Sequence, residues 1–462
     1  MKKLHFIGIG GIGMSGLAAM ARTMGLSVTG SDRGADRPEN RHIFSALKKQ
    51  GIAIYPQDGS FAQAGLPDAV VYSTAIEDDN PDLAAAAKVP RLHRSALLEK
   101  LLANCGKKTI AVTGSCGKST VCAYMAEAME NLGIAPSCLN GALSKRFRSE
   151  IQAGNYHAGS GEYLVFEADE SDKSLLNYGA DYALILNMGT DHYSKEELAR
   201  VFGEFLKNIR RGAVLDREVF EAVKAEIPAH LAIAVFDDKQ QDGSKYFLQD
   251  YRICDHRASA IFQNGNTIRL PQCGKHMALN ALAVMAMLEM LGVSSADAER
   301  AVCRFDGICR RTDLAGNTSA GTPVYDDYAH NPEKIISCLN TMHDLADGNV
   351  FAVFQPHGYG PWGFMHEQLF LYLEKRLKPG DVFILLEPYY AGGTSSFKPT
   401  SAEVLENWHS RAEDPSHYLH FSNREAVEDY LHKQVRKDDI IVIMGARDNS
   451  LNDWSKDLTQ KI

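Results

Sequence analysis

The 462-residue sequence has no uninterrupted apolar run of the ~18 residues that a membrane helix needs, so membrane insertion is not expected. Cysteine occurs nine times but singly, with no C-x-x-C pair and no Cys/His cluster at the spacing of a structural zinc site. Such usage fits reduced thiols in a reducing, cytoplasmic compartment. No basic stripe is present either. The 49 Lys and Arg are mixed with 58 Asp and Glu along the whole length, for a formal net charge of -9, which argues against a nucleic-acid partner. Low-complexity linkers and short repeats are missing too. With 45% hydrophobic and 23% charged residues, the composition is that of a soluble globular chain. Its length asks for two to four domains, as a monomer or homodimer.

One segment invites misreading. Met1-Lys2-Lys3 followed by the mostly apolar Leu4 to Ala21 has the outline of a secretory signal. Five glycines interrupt it in a phosphate-binding rhythm, and the pattern beyond it continues as α/β. Strands are expected at Leu4–Gly8, Ser27–Gly30 and Ala69–Ser73, with helices at Ser15–Met24 and Ser95–Ala103; alternation of this kind builds a parallel sheet covered by helices. A polar junction at Asn104–Lys108 leads to a second block with strands at Thr109–Val112, Tyr163–Glu167 and Tyr182–Leu186. Residues 235–272 read as a meander with a turn at Gln263–Asn266, and His276–Leu291 as a long apolar helix. A third block alternates again, with strands at Val350–Phe354, Val382–Leu386 and Ile440–Met444. The expected architecture is α/β throughout: three consecutive domains over residues 1–104, 105–314 and 315–462, the first and third Rossmann-like and the second of the P-loop ATPase type.

Two glycine loops carry most of the chemistry. Gly114-Ser115-Cys116-Gly117-Lys118-Ser119-Thr120 follows the strand Thr109–Val112 and opens a helix. Backbone N–H groups of such a loop converge on phosphate oxygens, and the helix N-terminus adds positive potential. Lys118 would neutralise β/γ-phosphates of ATP, and the Ser119 hydroxyl would sit on Mg²⁺. The strict G-x-x-x-x-G-K-[ST] form fails, because Val112 stands where its first glycine belongs. The other loop is Gly8-Ile9-Gly10-Gly11-Ile12-Gly13, with Asp32 closing the second strand. Taken alone it is a G-x-G-x-x-G dinucleotide fingerprint, open to a nicotinamide cofactor, another nucleotide diphosphate or a tight turn. A nicotinamide-dependent oxidoreductase would leave Gly114–Thr120 idle, which favours a two-nucleotide enzyme without a redox step. Downstream, Phe166-Glu167-Ala168-Asp169-Glu170-Ser171-Asp172 and Leu186-Asn187-Met188-Gly189-Thr190-Asp191-His192 end predicted strands with acids and an imidazole, where α/β sheets bind ligands and a carboxylate suits Mg²⁺.

Gly8–Ala18, Gly114–Thr120, Glu167–Asp172, Asn187–His192, His276–Ala281, Phe305–Gly316 and Asp326–Pro332 occur in the order and spacing of the Mur ligases. The chain resembles that family over its whole length, especially the group that adds L-alanine to UDP-N-acetylmuramate and the relatives that add murein peptides. The resemblance implies a ligase in peptidoglycan precursor synthesis. ATP phosphorylates the sugar-linked carboxylate, an amine attacks the acyl phosphate, and phosphate leaves. It implies that Gly8, Gly10, Gly11, Gly13, Asp32 and Ser73 hold the UDP portion. Gly114, Ser115, Gly117, Lys118, Ser119 and Thr120 would cradle ATP, with Asn280, Arg311 and Asp327 as further nucleotide contacts. Ser119, Glu167 and His192 match the metal positions, and His330 and His357 lie near the reacting groups or the incoming amine.

Four departures from the family pattern stand out. Met277 follows His276 where asparagine is usual, and Ser115-Cys116 replaces a common Thr-His. Lys195 and Lys207 lie near the position of a carbamylated lysine in some relatives, neither clearly in register. Most consequentially, Gly358-Tyr359-Gly360-Pro361-Trp362-Gly363 has no arginine where alanine-adding enzymes carry guanidinium groups suited to an amino-acid carboxylate. Arg447 is the candidate replacement. The departures keep two alternatives open: ligation of a murein tripeptide in cell-wall recycling, and a catalytically degenerate homologue that binds nucleotide sugar without turnover.

Overall fold

β-Branched and aromatic runs separated by apolar helical stretches fold into three sheets. The structure, a computed structural model, describes residues 2–189, 193–241, 244–254, 256–390 and 396–462. The first sheet contains β1 (Lys3–Ile7), β2 (Ser27–Ser31), β3 (Ala53–Tyr55), β4 (Ala69–Tyr72) and β5 (Arg91–His93), all parallel in the order β3-β2-β1-β4-β5. Helices α1 (Ile12–Thr23), α2 (Arg41–Lys49) and α3 (Pro81–Ala85) connect its strands, and α4 (Arg94–Asn104) leads from β5 to the next sheet. The order reverses at β1, so the crevice beyond its C-terminal end is a topological switch point.

The second sheet is built from β6 (Lys108–Thr113), β7 (Ser137–Leu139), β8 (Tyr156–His157), β9 (Tyr163–Glu167), β10 (Ala180–Ile185), β11 (Ile209–Asp216), β12 (Ala232–Asp237), β13 (Tyr246–Cys254), β14 (Arg257–Phe262) and β15 (Thr267–Arg269). Its order is β15-β14-β13-β12-β11-β10-β6-β9-β7-β8, with β6 flanked in parallel by β10 and β9. Helices α5 (Lys118–Asn131), α6 (Lys195–Leu206), α7 (Arg217–Val223), α8 (Lys275–Met290) and α9 (Ser295–Val302) belong to this block. Over the stretch expected as a meander, β13, β14 and β15 lie side by side in chain order at the edge of the sheet. β13 pairs in parallel with β12, whereas β14 and β15 form an antiparallel hairpin turned at Gly265, φ +77°. Alternating apolar residues suit either direction of pairing, so the pattern alone does not choose.

The first two sheets lie in one compact unit, Met1–Arg252 with Arg257–Cys309, and share a continuous core. Gly16 lets α1 approach closely: a Cβ there would meet Leu139 Cδ1 at 3.1 Å and Asn155 O at 3.3 Å. Buried Asn155 donates from Nδ2 to Ile12 O at 2.6 Å and to Ser15 Oγ at 2.8 Å, so the contact is polar as well as apolar.

Arg310–Ile462, with Ile253–His256, form a second compact unit. Its strands β16 (Asp313–Asn317), β17 (Pro323–Asp327), β18 (Val350–Gln355), β19 (Val382–Leu385), β20 (Tyr418–His420) and β21 (Ile440–Gly445) take the order β16-β17-β21-β18-β19-β20, parallel except for β16. Helices α10 (Pro332–Leu345), α11 (Tyr359–Leu373), α12 (Ser401–His409), α13 (Arg424–Gln434) and α14 (Ser450–Lys461) intervene. Local chemistry sets their starts. The Asn331 side chain accepts from Lys334 N ahead of Pro332, and Thr400 with Glu403 forms a capping box. The chain is thus three α/β sheets in succession, Rossmann-like at both ends and of P-loop type in the middle. No helix of the described residues is long and apolar enough to cross a membrane, and all nine cysteines are unbridged.

Candidate active site

The glycine loop after β1 is tightly drawn. Gly8 has φ +72°, and a Cβ on Gly10 would meet Phe44 Cζ at 2.5 Å and Asp32 Oδ2 at 2.9 Å, distances no larger residue tolerates. Asp32 accepts the Gly10 N–H at 2.8 Å through Oδ2 and the Gly34 N–H at 2.7 Å through Oδ1. The carboxylate that closes the fingerprint therefore shapes the loop itself. Ser73 starts a turn whose Ile76 N–H donates to Ser73 O at 3.1 Å, and Ile76 Cδ1 lies 3.2 Å from a Cβ position on Gly8. Gly8, Gly10, Gly11, Gly13, Asp32 and Ser73 thus gather at the C-terminal ends of β1, β2 and β4.

At the end of β6, Gly114 (φ +133°) and Gly117 (φ +87°) take conformations that side chains rarely adopt. A Cβ on Gly114 would lie 3.1 Å from the backbone N of both Leu186 and Asn187, so the loop runs hard against the chain leaving β10. Asn187 clamps it: Oδ1 accepts from Cys116 N at 2.8 Å and Nδ2 donates to Cys116 O at 2.9 Å. Ser115 Oγ accepts from Gly189 N at 2.7 Å. None of these bonds uses the Cys116 side chain, which explains why cysteine is tolerated there. Lys118, Ser119 and Thr120 form the first turn of α5. Asn280, on α8, places Oδ1 3.5 Å from a Cβ position on Gly117 and donates weakly to Met277 Sδ at 3.6 Å. Met277 thus packs beside the retained asparagine.

Lys118 is encircled by acids. Its Nζ donates to Gly114 O at 2.9 Å and pairs with Glu170 at 2.7 Å and Asp169 at 3.8 Å. Burial would pull the ammonium down, but Glu170, Asp169 and Glu167 outweigh it and hold the group above its usual value. Burial pushes the Glu170 carboxyl up against the pull of Lys118. Glu167, opposite Val112 in the β6–β9 register, accepts the Gly141 N–H at 2.8 Å. A cleft of about 210 Å³ opens between the end of the first glycine loop and the acids after β9, lined by Gly13, Arg94, Asn140, Gly141, Glu167 and Asp169 among others. Asn140 Oδ1 is buried there without a hydrogen-bond partner among the described residues, as expected of a group that meets a ligand.

Among the described residues no three His, Cys, Asp or Glu side chains gather as a ready metal cage. Magnesium does not need one, since it keeps waters and phosphate oxygens and takes one or two carboxylates. Glu167, whose charge reaches Lys118 at the start of α5, fits that demand, and three carboxylates against one ammonium favour a polyphosphate that brings a cation. His192 lies outside the described residues.

The second unit collects the remaining predicted residues. Arg310 (φ +61°) and Thr312 (φ +45°) flank Arg311 in left-handed conformations. Buried Asp327 accepts from Thr312 N at 2.6 Å and Ala329 N at 2.8 Å; burial pushes its carboxyl up, against Arg311. The Arg311 guanidinium lies 5.3 Å from the Tyr328 ring centre. His330 is fixed between the end of β17 and the Asn331 cap, and its Nδ1 donates to Tyr328 O at 2.9 Å. Burial, then Lys334, lowers its pKa to about 3. The His357 ring stands edge-on to it at 5.1 Å, and burial with Arg447 and Lys334 nearby lowers its pKa to about 4. Both imidazoles are therefore neutral at pH 7, and each leaves one ring nitrogen to accept a proton or hydrogen bond. Arg447 takes φ +61°, with Nη1 4.0 Å from a Cβ position on Gly358.

Sequence reasoning passed over Asn187 as a clamp and Arg94 altogether. Arg94 opens α4 at the C-terminal end of β5, so the rule that ligands bind at such ends was the available signal.

Family models match most of the chain: "Mur ligase family, catalytic domain" over residues 3–105, "Mur ligase middle domain" over 112–288 and "Mur ligase, glutamate ligase domain" over 310–447. The UDP-N-acetylmuramate–L-alanine ligase of Sinorhizobium medicae is 30% identical over 99% of this chain and 96% of its own. That of Carboxydothermus hydrogenoformans is 31% identical over 96% and 94%. Among solved structures, the UDP-N-acetylmuramate–alanine ligase MurC of Thermotoga maritima superposes with a TM-score of 0.79 at 26% identity, covering 99% of this chain and 98% of that one. A murein peptide ligase of Psychrobacter arcticus gives 0.70 at 21% over 99% and 98%, which speaks to the fold.

Proposed function

The chain belongs to the Mur ligase family, and we propose that it is an ATP-dependent ligase joining the carboxylate of UDP-N-acetylmuramate to the amine of L-alanine or a related small amino acid. The observation that carries this reading is the cleft in which the glycine loop of the first sheet faces Glu167 and Asp169, the latter within 3.8 Å of Lys118. Two nucleotide-binding loops in one compact unit suit a reaction that brings an anionic sugar nucleotide to the γ-phosphate of ATP.

In this reading a carboxylate oxygen of the sugar attacks the γ-phosphorus, ADP departs, and an acyl phosphate forms. The amine then attacks the carbonyl carbon, and phosphate leaves as the amide closes. Gly114, Ser115, Gly117, Ser119 and Thr120 cradle the polyphosphate through their backbone, and Lys118 offsets its charge as the phosphoryl group moves. Glu167 and Ser119, with His192, would hold magnesium, whose charge would offset that of the phosphate oxygens. Asn280, Arg311 and Asp327 are the further nucleotide contacts. Neutral His330 and His357 orient the amine by accepting its hydrogen bonds, and the Arg447 guanidinium takes the amino-acid carboxylate. ATP and a nucleotide sugar as substrates place the reaction in the cytoplasm, in peptidoglycan precursor synthesis.

The absence of arginine in Gly358–Gly363 supports a second reading, a murein tripeptide as acceptor. Phosphate release with UDP-N-acetylmuramate, ATP and Mg²⁺, screened over L-alanine, L-serine, glycine and L-Ala-γ-D-Glu-meso-diaminopimelate, separates the two. Release with a single amino acid supports the first and release with the tripeptide alone the second. No release with any acceptor marks a degenerate nucleotide-sugar binder.

A further inference from the structure

Arg94 belongs to neither glycine loop and to none of the acidic motifs. It begins α4 directly after β5, and its Nη1 lies 3.0 Å from a Cβ position on Gly13. The guanidinium therefore rests against the first turn of α1, where the glycine loop presents its backbone N–H groups. On its other side Nη2 faces Asp172 at 3.4 Å and Asp169 at 4.0 Å. Both contacts are longer than the about 2.7–2.9 Å of a well-formed charge-assisted hydrogen bond. The side chain is 35% exposed and lines the same cleft as Glu167. Arginine carries five N–H donors in a planar fork that matches the paired oxygens of phosphate or carboxylate, and here that fork is loosely matched by acids it could exchange.

We infer that Arg94 binds an anionic group of the sugar-nucleotide substrate, its diphosphate or its carboxylate, leaving Asp172 to do so. The inference rests on the sugar-nucleotide reading above. Asp169 makes the position consequential: Oδ2 faces Arg94 at 4.0 Å while Oδ1 faces Lys118 at 3.8 Å. One carboxylate thus stands between the cation of the sugar side and the cation of the ATP side. An anion that draws Arg94 away from Asp169 leaves that carboxylate to Lys118 alone.

The competing explanation is a mere staple, with Arg94 joining the first sheet to the Asp169–Asp172 loop. The two differ in the sign of one effect. Asp172→Asn keeps the Oδ1 acceptor that receives Ser174 N at 2.9 Å but removes the charge that competes for Arg94. A ligand-binding Arg94 is thereby freed, and affinity stays equal or improves; a staple is broken, and affinity falls as it does in Arg94→Gln.

Calorimetric titration of the full chain with uridine, UDP and UDP-N-acetylmuramate tests this. Arg94→Gln should weaken UDP-N-acetylmuramate by roughly ten- to a hundredfold, the loss expected for one charged hydrogen-bonding group, with uridine unaffected. Arg94→Lys, which keeps the stem and charge, should retain the fold and lose part of that affinity. A loss seen already with UDP assigns the diphosphate; a loss confined to UDP-N-acetylmuramate assigns the carboxylate. Arg94→Gln within about twofold of the unaltered chain for both ligands, or Asp172→Asn as damaging as Arg94→Gln, overturns the inference. If the unaltered chain bound neither UDP nor UDP-N-acetylmuramate, the sugar-nucleotide reading itself would fall and take this one with it.

Discussion

Asn187 tests whether the phosphate loop works through its backbone. The Cys116 peptide hydrogen-bonds to the Asn187 side chain at both ends, N–H at 2.8 Å and C=O at 2.9 Å. The amide thus continues, past Ser115, the pairing of the loop with the chain leaving β10. Asn187→Ala deletes two neutral hydrogen bonds, at about 0.5–1.5 kcal/mol each. The loop's ordering falls by roughly 1–3 kcal/mol, which ATP must supply on binding, so its affinity should drop about 5- to 150-fold. Asn187→Asp keeps the acceptor for Cys116 N–H but turns an anionic oxygen toward Cys116 C=O, and should be worse than alanine. Affinity for UDP-N-acetylmuramate should hardly change, since the Asn187 side chain is engaged with the Cys116 backbone. The assay is calorimetry with a non-hydrolysable ATP analogue and Mg²⁺, repeated with the sugar nucleotide. ATP-analogue affinity within about twofold of the unaltered chain for Asn187→Ala, or a milder effect for aspartate than for alanine, would refute the reasoning.

Lys118→Ala should cut single-turnover phosphoryl transfer by about 10²–10³ with sugar-nucleotide affinity intact, read by rapid-quench phosphate release and calorimetry. Asp32→Ala removes the acceptor of Gly10 and Gly34 N–H and should weaken UDP-N-acetylmuramate while ATP affinity holds, each titrated separately. Arg447→Lys should raise KM for the amino acid by roughly ten- to a hundredfold, because an ammonium cannot reproduce a bidentate fork; steady-state kinetics should show KM for ATP unmoved. Glu127, fully buried, accepts from Ser144 Oγ at 3.0 Å and Asp306 N at 2.8 Å, and burial raises its pKa from 4.5 to about 7. The folded chain then holds a proton that the unfolded chain releases, so between pH 4.5 and about 7 this group makes stability fall as pH rises, by at most about 1.4 kcal/mol per unit. Denaturant titrations across that window should show a flatter slope for Glu127→Gln.

What was legible from the sequence followed the range of the interactions. Tyr163–Glu167 reads as a strand and is one, because a continuous apolar run bounded by a glycine and an acidic turn needs no distant information. The first helix starts at Ile12 rather than Ser15, since glycines obscure a helical start that buries nearly every following side chain. The phosphate loop is equally local. Gly114, Gly117 and Lys118 stand close together in the chain, and their strand-loop-helix setting is written within about twenty residues. Asp32 could be found by spacing, but its bonds to Gly10 and Gly34 show it acting on the loop's shape, which spacing does not convey.

The acceptor side was harder to read because its meaning depends on which guanidinium reaches a place that three separate strands define. The stretch that carries arginines in alanine-adding enzymes begins α11 here, and its bulky residue, Trp362, points inward to pack on Phe354 and Trp408. That helix start has no cation to offer. Arg447 follows β21 in a left-handed conformation, φ +61°, which costs a non-glycine residue about 1–2 kcal/mol. The same conformation brings its guanidinium beside Gly358, whose φ of +146° leaves room where a side chain would stand. A strained arginine at parallel strand ends with two neutral imidazoles is poor design for stability, and under the proposed reading it would hold a carboxylate near an amine. Strain of this kind persists where function maintains it, and the residue that bears it here is separated from His357 by ninety positions of sequence that no local pattern could bridge.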